Sequence, residues 1–529
     1  MNKYQKKNRV SFAEALICVF VSTCFAVSLQ FFKGDILDSA VAGDVTKAVK
    51  YFILLVVFIL CEVMFYFFYK LFSAKFIVGC TKHLKQDIFK SILSRSYVEY
   101  KEYQQGEFIA KYINEADTIK TRRFSMLPVF WEIVFKIVFV SIALFFLDWR
   151  IALITIILLT TPLYIPKLIE KRLQKAQTEH IKAVENSLAK ITDWLSGFET
   201  IKNFSIEHRI MSKFEDVNNA SMEKLLYDTQ LGAVAQLITT LISYFSYFII
   251  LVCAAGLVLT RNFSAGDFFV AIGMIDQLSY PLISLAAIIR QLVAIKPVCA
   301  SMEAFLIIPK TTHKVNELVS VNDKIQFCNV SFAYANQPPI LHDFNFTICK
   351  NKKYLLKGPS GCGKTTIVNL LLRYYDVGVG SIQIDDEPIN EFGSTYGCIT
   401  VVRQDAILFH DTLRNNLTMY QDLPDDRLFD VLEGLGLHKF ANIESINAII
   451  TENGANLSGG EKKRICLARA LLRNTDVLIL DEPLANLDEE TAQRIEDLLL
   501  AIERKTMLVV SHQFSKDKLE LFDSVVEFV

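Results

Sequence analysis

A membrane α-helical bundle of six transmembrane helices with long cytoplasmic extensions, followed by an α/β P-loop domain, is the architecture this sequence predicts. Apolar runs of membrane-spanning length crowd the first part of the chain and stop near Pro309. Beyond that point a phosphate-loop pattern sits between a strand and a helix, and an all-apolar strand ending in two carboxylates follows. Composition agrees. Hydrophobic residues are 52% and charged residues only 21%, which excludes a disordered chain. Lys plus Arg number 56 against 57 Asp plus Glu, so no general basic field draws a polyanion and any bound anion is held by a local site.

Crossing about 30 Å of hydrocarbon at about 1.5 Å per residue takes about 20 residues. The runs that qualify are Ser11–Phe32, Tyr51–Phe72, Leu127–Leu147, Ile151–Ile169, Leu231–Thr260 and Phe268–Leu292. The organisation read from them is a membrane domain over residues 1–309 and a second domain over 310–529. A cleaved signal sequence is the alternative for the first run, but its apolar core exceeds the roughly 7–15 residues of such a segment. Lys3, Lys6, Lys7 and Arg9 precede the first span, and Lys and Arg recur throughout Ser73–Met126 after the second. The loops Asp148–Arg150 and Arg261–Asp267 are short and poor in such charge, so both chain ends are expected in the cytoplasm. Ser73–Met126 and Glu170–Gln230 are helix-patterned and lack Pro, which predicts helices that run on past the membrane.

Glu62, Glu132, Lys136 and Asp276 lie inside the spans, where each charge costs at least about 2.5 kcal/mol unless partnered. Glu132 and Lys136 are four residues apart on one helix face and are read as a pair. Glu62 and Asp276 lack a local partner and are candidates for lining a cavity. Pro162, Pro166 and Pro281 are expected to kink the helices that carry them. The eleven cysteines are scattered, with no CxxC pair, and are expected to be free thiols.

Gly358-Pro359-Ser360-Gly361-Cys362-Gly363-Lys364-Thr365 fits G-x-x-x-x-G-K-[ST]. Gly358, Ser360, Gly361, Cys362 and Gly363, with Thr366 after them, form a turn whose backbone N–H groups face phosphate oxygens at a helix N-terminus. Lys364 adds a full charge, and Thr365 offers its hydroxyl to Mg²⁺. Val477–Leu480 reads as a buried parallel strand ending in Asp481, placed for the Mg²⁺ shell, and Glu482, placed to polarise an attacking water. Ser458-Gly459-Gly460, opening another helical run, is a second anion site by the same physics.

With these motifs the chain resembles the ATP-binding-cassette (ABC) transporters, specifically half-transporters of the type I (type IV fold) exporters, over nearly its whole length. The second domain is then an α/β P-loop ATPase, the ABC cassette, and the cofactors implied are ATP and Mg²⁺. By resemblance, Tyr334 stacks on adenine, Gln404 senses Mg²⁺ and the water, and His512 contacts the γ-phosphate. Asp488 closes the D-loop Ala485-Asn486-Leu487-Asp488, and Ser458, Gly459 and Gly460 bind the ATP held by a second protomer. Catalysis falls to Glu482, His512, Gln404 and Lys364, and the metal to Thr365, Gln404 and Asp481. Ser94–Gly106 and the surroundings of Gly197–Thr200 are similar to the segments that carry cassette closure into the bundle.

The partners implied are a second half-transporter, identical or different, a small-molecule, lipid or peptide cargo, and the bilayer of a bacterial plasma membrane. Import by the same fold and a tethered ATP-dependent sensor without transport stay open as alternatives, whereas nucleic acid is disfavoured by the spans and the balanced charge. The chain departs from the pattern at Glu461, usually Gln, at Arg403, usually Pro, and in a weakened D-loop. It also ends at the strand Val525–Val529, where relatives normally continue, so the cassette is short. No catalytic group is removed, and Glu461 beside the phosphate is expected to slow closure modestly.

Overall fold

The computed structural model describes residues 1–160, 165–260, 263–307, 320–334, 337–359, 361–405, 407–451, 454–485, 487–511 and 514–528. Chain contacts divide it into two compact units. One comprises Met1–Arg95 and Tyr103–Ile308, and the other Ser96–Glu102 and Pro309–Val529.

Among its described residues the first unit carries helices and no strand. Arg9–Val41, Val45–Leu93, Gln105–Leu147 and Glu207–Leu259 are long and apolar enough to cross a membrane. The sixth expected span lies on the helix Ala265–Ala294, which keeps Pro281 in its interior. The fourth begins on Trp149–Thr160, and Ile165–Ser196, which carries Pro166, is also helical. Pro162 falls outside the described residues. Val45–Leu93 has 49 residues and Glu207–Leu259 has 53, so at about 1.5 Å per residue each far exceeds the hydrocarbon thickness, as the Pro-free patterning predicts. Between Lys111 and Phe124 the backbone opens twice into π-helical turns, Lys111–Glu115 and Lys120–Phe124, which nothing in the local sequence announces.

Glu132 is buried, and the ammonium of Lys136 donates to it at 3.1 Å, the pairing read from their spacing. Lys70 adds a second cation 3.7 Å from the same carboxylate, from a helix the i,i+4 rule does not reach. Glu62 does have a neighbour, since the Ser22 hydroxyl approaches its carboxylate at 3.5 Å, and Asp276 is partnered by the Tyr247 side chain. All eleven cysteines are free.

Where Arg9–Val41 crosses Ala265–Ala294, backbone meets backbone. A Cβ on Gly266 would overlap the Gly34 carbonyl and the Asp38 carboxylate, and Asp38 accepts from the Gly266 N–H at 2.7 Å and the Ser264 hydroxyl at 2.6 Å. Small residues permit this approach between membrane helices. Gly266→Val is therefore expected to cost about 1–3 kcal/mol by overpacking and to lower the thermal midpoint of the detergent-solubilised protein by several degrees. An unchanged midpoint in a fluorescence melt would show that these helices do not meet there.

The second unit carries two sheets. β1 (Lys324–Phe332), β2 (Leu341–Cys349), β4 (Val379–Ile384) and β5 (Glu387–Pro388) form an antiparallel sheet in the order β2-β1-β4-β5. β3 (Lys353–Lys357), β6 (Ile399–Val402), β7 (Val477–Asp481), β8 (Thr506–Val510) and β9 (Ser524–Glu527) form a parallel sheet in the order β6-β7-β8-β3-β9. β7 and β8 are buried at every position, which is why they read as unbroken apolar runs rather than alternating ones. Because the five strands are parallel, all their C-terminal ends lie along one edge, where α/β sheets place their ligands. The short helix Tyr97–Lys101, held by a Ser96–Glu99 capping box, belongs with this unit although it interrupts the membrane half in sequence.

Candidate functional site

The phosphate loop joins β3 to the helix Lys364–Leu371. Gly363 sits at φ 101°, a left-handed conformation that favours glycine, and a Cβ there would also crowd Leu341 and Ile340 at 3.0 and 3.1 Å. Lys364 is buried, and its ammonium folds back to donate to the Gly358 and Pro359 carbonyls, each at 2.7 Å, with the Cys362 sulfur 3.5 Å away. Ser360 lies outside the described residues. Gly361 and Thr365 are exposed, whereas Thr366 is buried and reaches the Tyr334 hydroxyl at 3.2 Å.

Tyr334 is anchored from two sides. Its hydroxyl also accepts from Asn369 at 3.4 Å, and its ring stands edge-on to Phe332 and Tyr375. One β-strand end and the phosphate-loop helix thus fix the same aromatic.

β7 delivers Asp481 buried and Glu482 half-buried. Glu482 takes φ 51°, uncommon for a residue with a side chain, and its N–H donates to Val510 of β8 at 2.8 Å, so the strained turn is pinned by the sheet itself. Burial pushes the Asp481 carboxyl up, against the opposing pull of the Arg403 guanidinium. Gln404, just past β6, is exposed. His512, after β8, and Asn486 lie outside the described residues.

Thr365 from the phosphate-loop helix, Gln404 just past β6 and Asp481 at the end of β7 line one cavity of about 810 Å³, together with Asn369, Arg403 and Tyr97. Hydroxyl, amide and carboxylate oxygens are the donor set of a hard cation that keeps waters and shares substrate phosphates, so these residues fit Mg²⁺. Among the described residues no cluster of three His, Cys, Asp or Glu exists, which excludes from that part of the chain a closed zinc-type cage.

The second anion turn does not line this cavity. Ser458 caps the helix Gly459–Arg473, and Ser458 and Gly459 are exposed. Glu461 closes a capping box, accepting the Ser458 N–H at 2.8 Å, and pairs with the Lys439 ammonium at 2.5 Å. Although burial pushes the Glu461 carboxyl up, these partners hold it below the ordinary carboxylate range. The Glu461 charge therefore has its own counter-ion. Lys463, on the same helix, donates to the Ala485 carbonyl at 2.7 Å, and Asp488 caps the helix Glu489–Ala501 through the Thr491 N–H at 2.9 Å.

Sequence reasoning missed Asn369, Lys439 and Lys463 as supports of the site. Their partners are remote in sequence, although Asn369 lies four residues past Thr365 and Lys463 beside the second turn.

Two family models match: the ABC transporter transmembrane region over residues 12–282 and the ABC transporter domain over 341–485. The multidrug resistance-like ATP-binding protein MdlB of Buchnera aphidicola is 29% identical over 488 residues, covering 88% of this chain and 81% of its own. An ATP-dependent lipid A-core flippase of Syntrophus aciditrophicus is 25% identical over 525 residues, covering 97% and 87%. Among solved structures, a bacterial Atm1-family ABC exporter with ATP bound superposes with a TM-score of 0.81 at 22% identity, over 98% of this chain and 94% of that one, a likeness of fold. The first model alone spans more than half the residues, and with the second it accounts for both the apolar bundle and the phosphate-binding edge of the parallel sheet. This chain accordingly belongs to the ABC transporter family, as an integral membrane protein that binds ATP and couples its hydrolysis to transport.

Proposed function

We propose that two such chains, or this one with a related half-transporter, form an ATP-driven exporter of a lipid, drug or other hydrophobic or amphipathic solute. It would lie in a bacterial plasma membrane with its cassettes in the cytoplasm. The observation that carries the reading is the shared cavity of Thr365, Gln404 and Asp481 beside the Lys364 loop, with the Ser458–Gly460 turn, exposed at Ser458 and Gly459, standing apart from it. A nucleotide on the loop of one chain leaves one of its sides for a second chain to cover, and the exposed turn is a surface built for an anion.

In this reading, Lys364 turns from the loop carbonyls to the β- and γ-phosphates, and Tyr334 borders the base. Thr365, Gln404 and Asp481 would hold Mg²⁺, which when bound would offset developing phosphate charge. Glu482 takes a proton from water as its oxygen attacks the γ-phosphorus and the bond to the β-phosphate oxygen breaks. His512 steadies the departing γ-phosphoryl group. Closing the cassettes on ATP turns the bundle outward, and hydrolysis resets it.

The cargo class is supported by the relatives named for multidrug resistance and for flipping lipid A-core. Apolar, aromatic-rich spans favour the same class over a small polar solute. Proteoliposomes with cassettes facing outward test the reading. ATP added outside is expected to drive a fluorescent phospholipid to the inner leaflet or a cationic dye into the lumen. Movement in the opposite sense would identify an importer, and ATP turnover without movement of any such solute would indicate a sensor.

A further inference from the structure

Arg403 directly follows β6, and its guanidinium has three neighbours. Nη2 donates to the Asn369 amide oxygen at 2.7 Å, Nη1 lies 3.8 Å from an Asp481 carboxylate oxygen, and Cζ lies 5.6 Å from the centre of the Tyr374 ring. Tyr374 in turn stacks on Tyr97, with centroids 3.8 Å apart and planes within 8°. Tyr97 opens the short helix Tyr97–Lys101, and the chain on either side of its segment continues into the helical membrane unit.

We propose that Arg403 is a positioning residue that ties the cation site at Asp481 to the Tyr97–Tyr374 stack. The inference rests on Asp481 as a cation ligand, the reading given under Proposed function. A guanidinium this close to a buried carboxylate supplies the positive charge that a divalent cation would otherwise bring, and it opposes that cation's entry. The face of Tyr374 gives the same guanidinium a second seat, because a planar cation is attracted to an aromatic quadrupole. Asp481 and Tyr374 therefore compete for one charge. Cation entry shifts Arg403 toward the ring, and a Tyr97 that grips or leaves Tyr374 alters how readily the cation enters. Asn369 is the pivot of this exchange, since it holds Arg403 while its amide donates to the Tyr334 hydroxyl.

A shared pathway is established only by energetic coupling between its ends. The test is Mn²⁺ binding, read by electron paramagnetic resonance, to full-length protein in lipid nanodiscs with a non-hydrolysed ATP analogue. Arg403→Gln is expected to tighten Mn²⁺ binding about fivefold to tenfold by removing the opposing charge, and Arg403→Lys to leave it within about twofold. Tyr97→Ala is expected to change Mn²⁺ affinity by at least about twofold in the wild-type background and to have no effect once Arg403 is Gln. Unaltered Mn²⁺ affinity in Arg403→Gln, or a Tyr97→Ala effect of equal size in both backgrounds, would overturn the link. Asp481→Asn keeps the two readings apart. If it bound Mn²⁺ like wild type, the assignment of Asp481 would fall first and the link with it.

Discussion

Replacing Glu482 by Gln is expected to cut ATP turnover roughly 10²- to 10³-fold while leaving ATP affinity within about twofold. The substitution keeps the shape of the side chain and removes only its capacity to take a proton. The backbone that presents it is not expected to move, because the Glu482 N–H is fixed to Val510 and Lys463 bonds to the neighbouring Ala485 carbonyl. A residue at φ 51° directly after a fully buried strand is held there by its backbone bond to the sheet. Phosphate release by purified protein in lipid, measured beside binding of a fluorescent ATP analogue, separates the two quantities. Full turnover in Glu482→Gln would remove Glu482 from the chemistry.

Lys364→Ala is expected to weaken ATP binding about 100-fold or more, the loss of two or more charge-assisted contacts to phosphate. In the protein alone the Lys364 ammonium is satisfied by the Gly358 and Pro359 carbonyls, so removing it breaks local loop contacts and leaves the β3 core intact. The melting midpoint without nucleotide should therefore change little, while the rise in midpoint that ATP brings to wild type should disappear. Equal stabilisation of both proteins by ATP, in a melt with and without nucleotide, would show that the loop does not hold the phosphates.

The catalytic edge was legible because its parts are contiguous. Strand, glycine turn and Lys364 occupy one stretch, and so do β7 and Asp481-Glu482, and the chemistry of each can be stated without knowing where the other lies. The fold followed from apolar run length in the membrane half and from unbroken apolar strands in the cassette. What escaped was set by contacts between residues far apart in sequence. Lys70 joins Glu132 from another helix, Lys439 neutralises Glu461 across 22 positions, and Tyr97 stacks on Tyr374 across 277 positions. Glu461 shows the cost of reading a position by itself. An isolated carboxylate at an anion turn is a repulsive charge, whereas one that caps its helix and is paired at 2.5 Å is part of the turn's scaffold. The π-helical openings between Lys111 and Phe124 were invisible for a different reason, since neither Gly nor Pro marks them.

The account stands on ATP being held jointly by the Lys364 loop of one chain and the Ser458–Gly460 turn of another. Nucleotide retained by Glu482→Gln protein after rapid desalting measures this directly. About one ATP per chain is expected to remain where hydrolysis is blocked, and adding Ser458→Arg to the same protein is expected to release it although every residue of the phosphate loop is intact. Retention unaffected by Ser458→Arg would mean that each cassette holds its nucleotide alone, and the joint site would have to be abandoned.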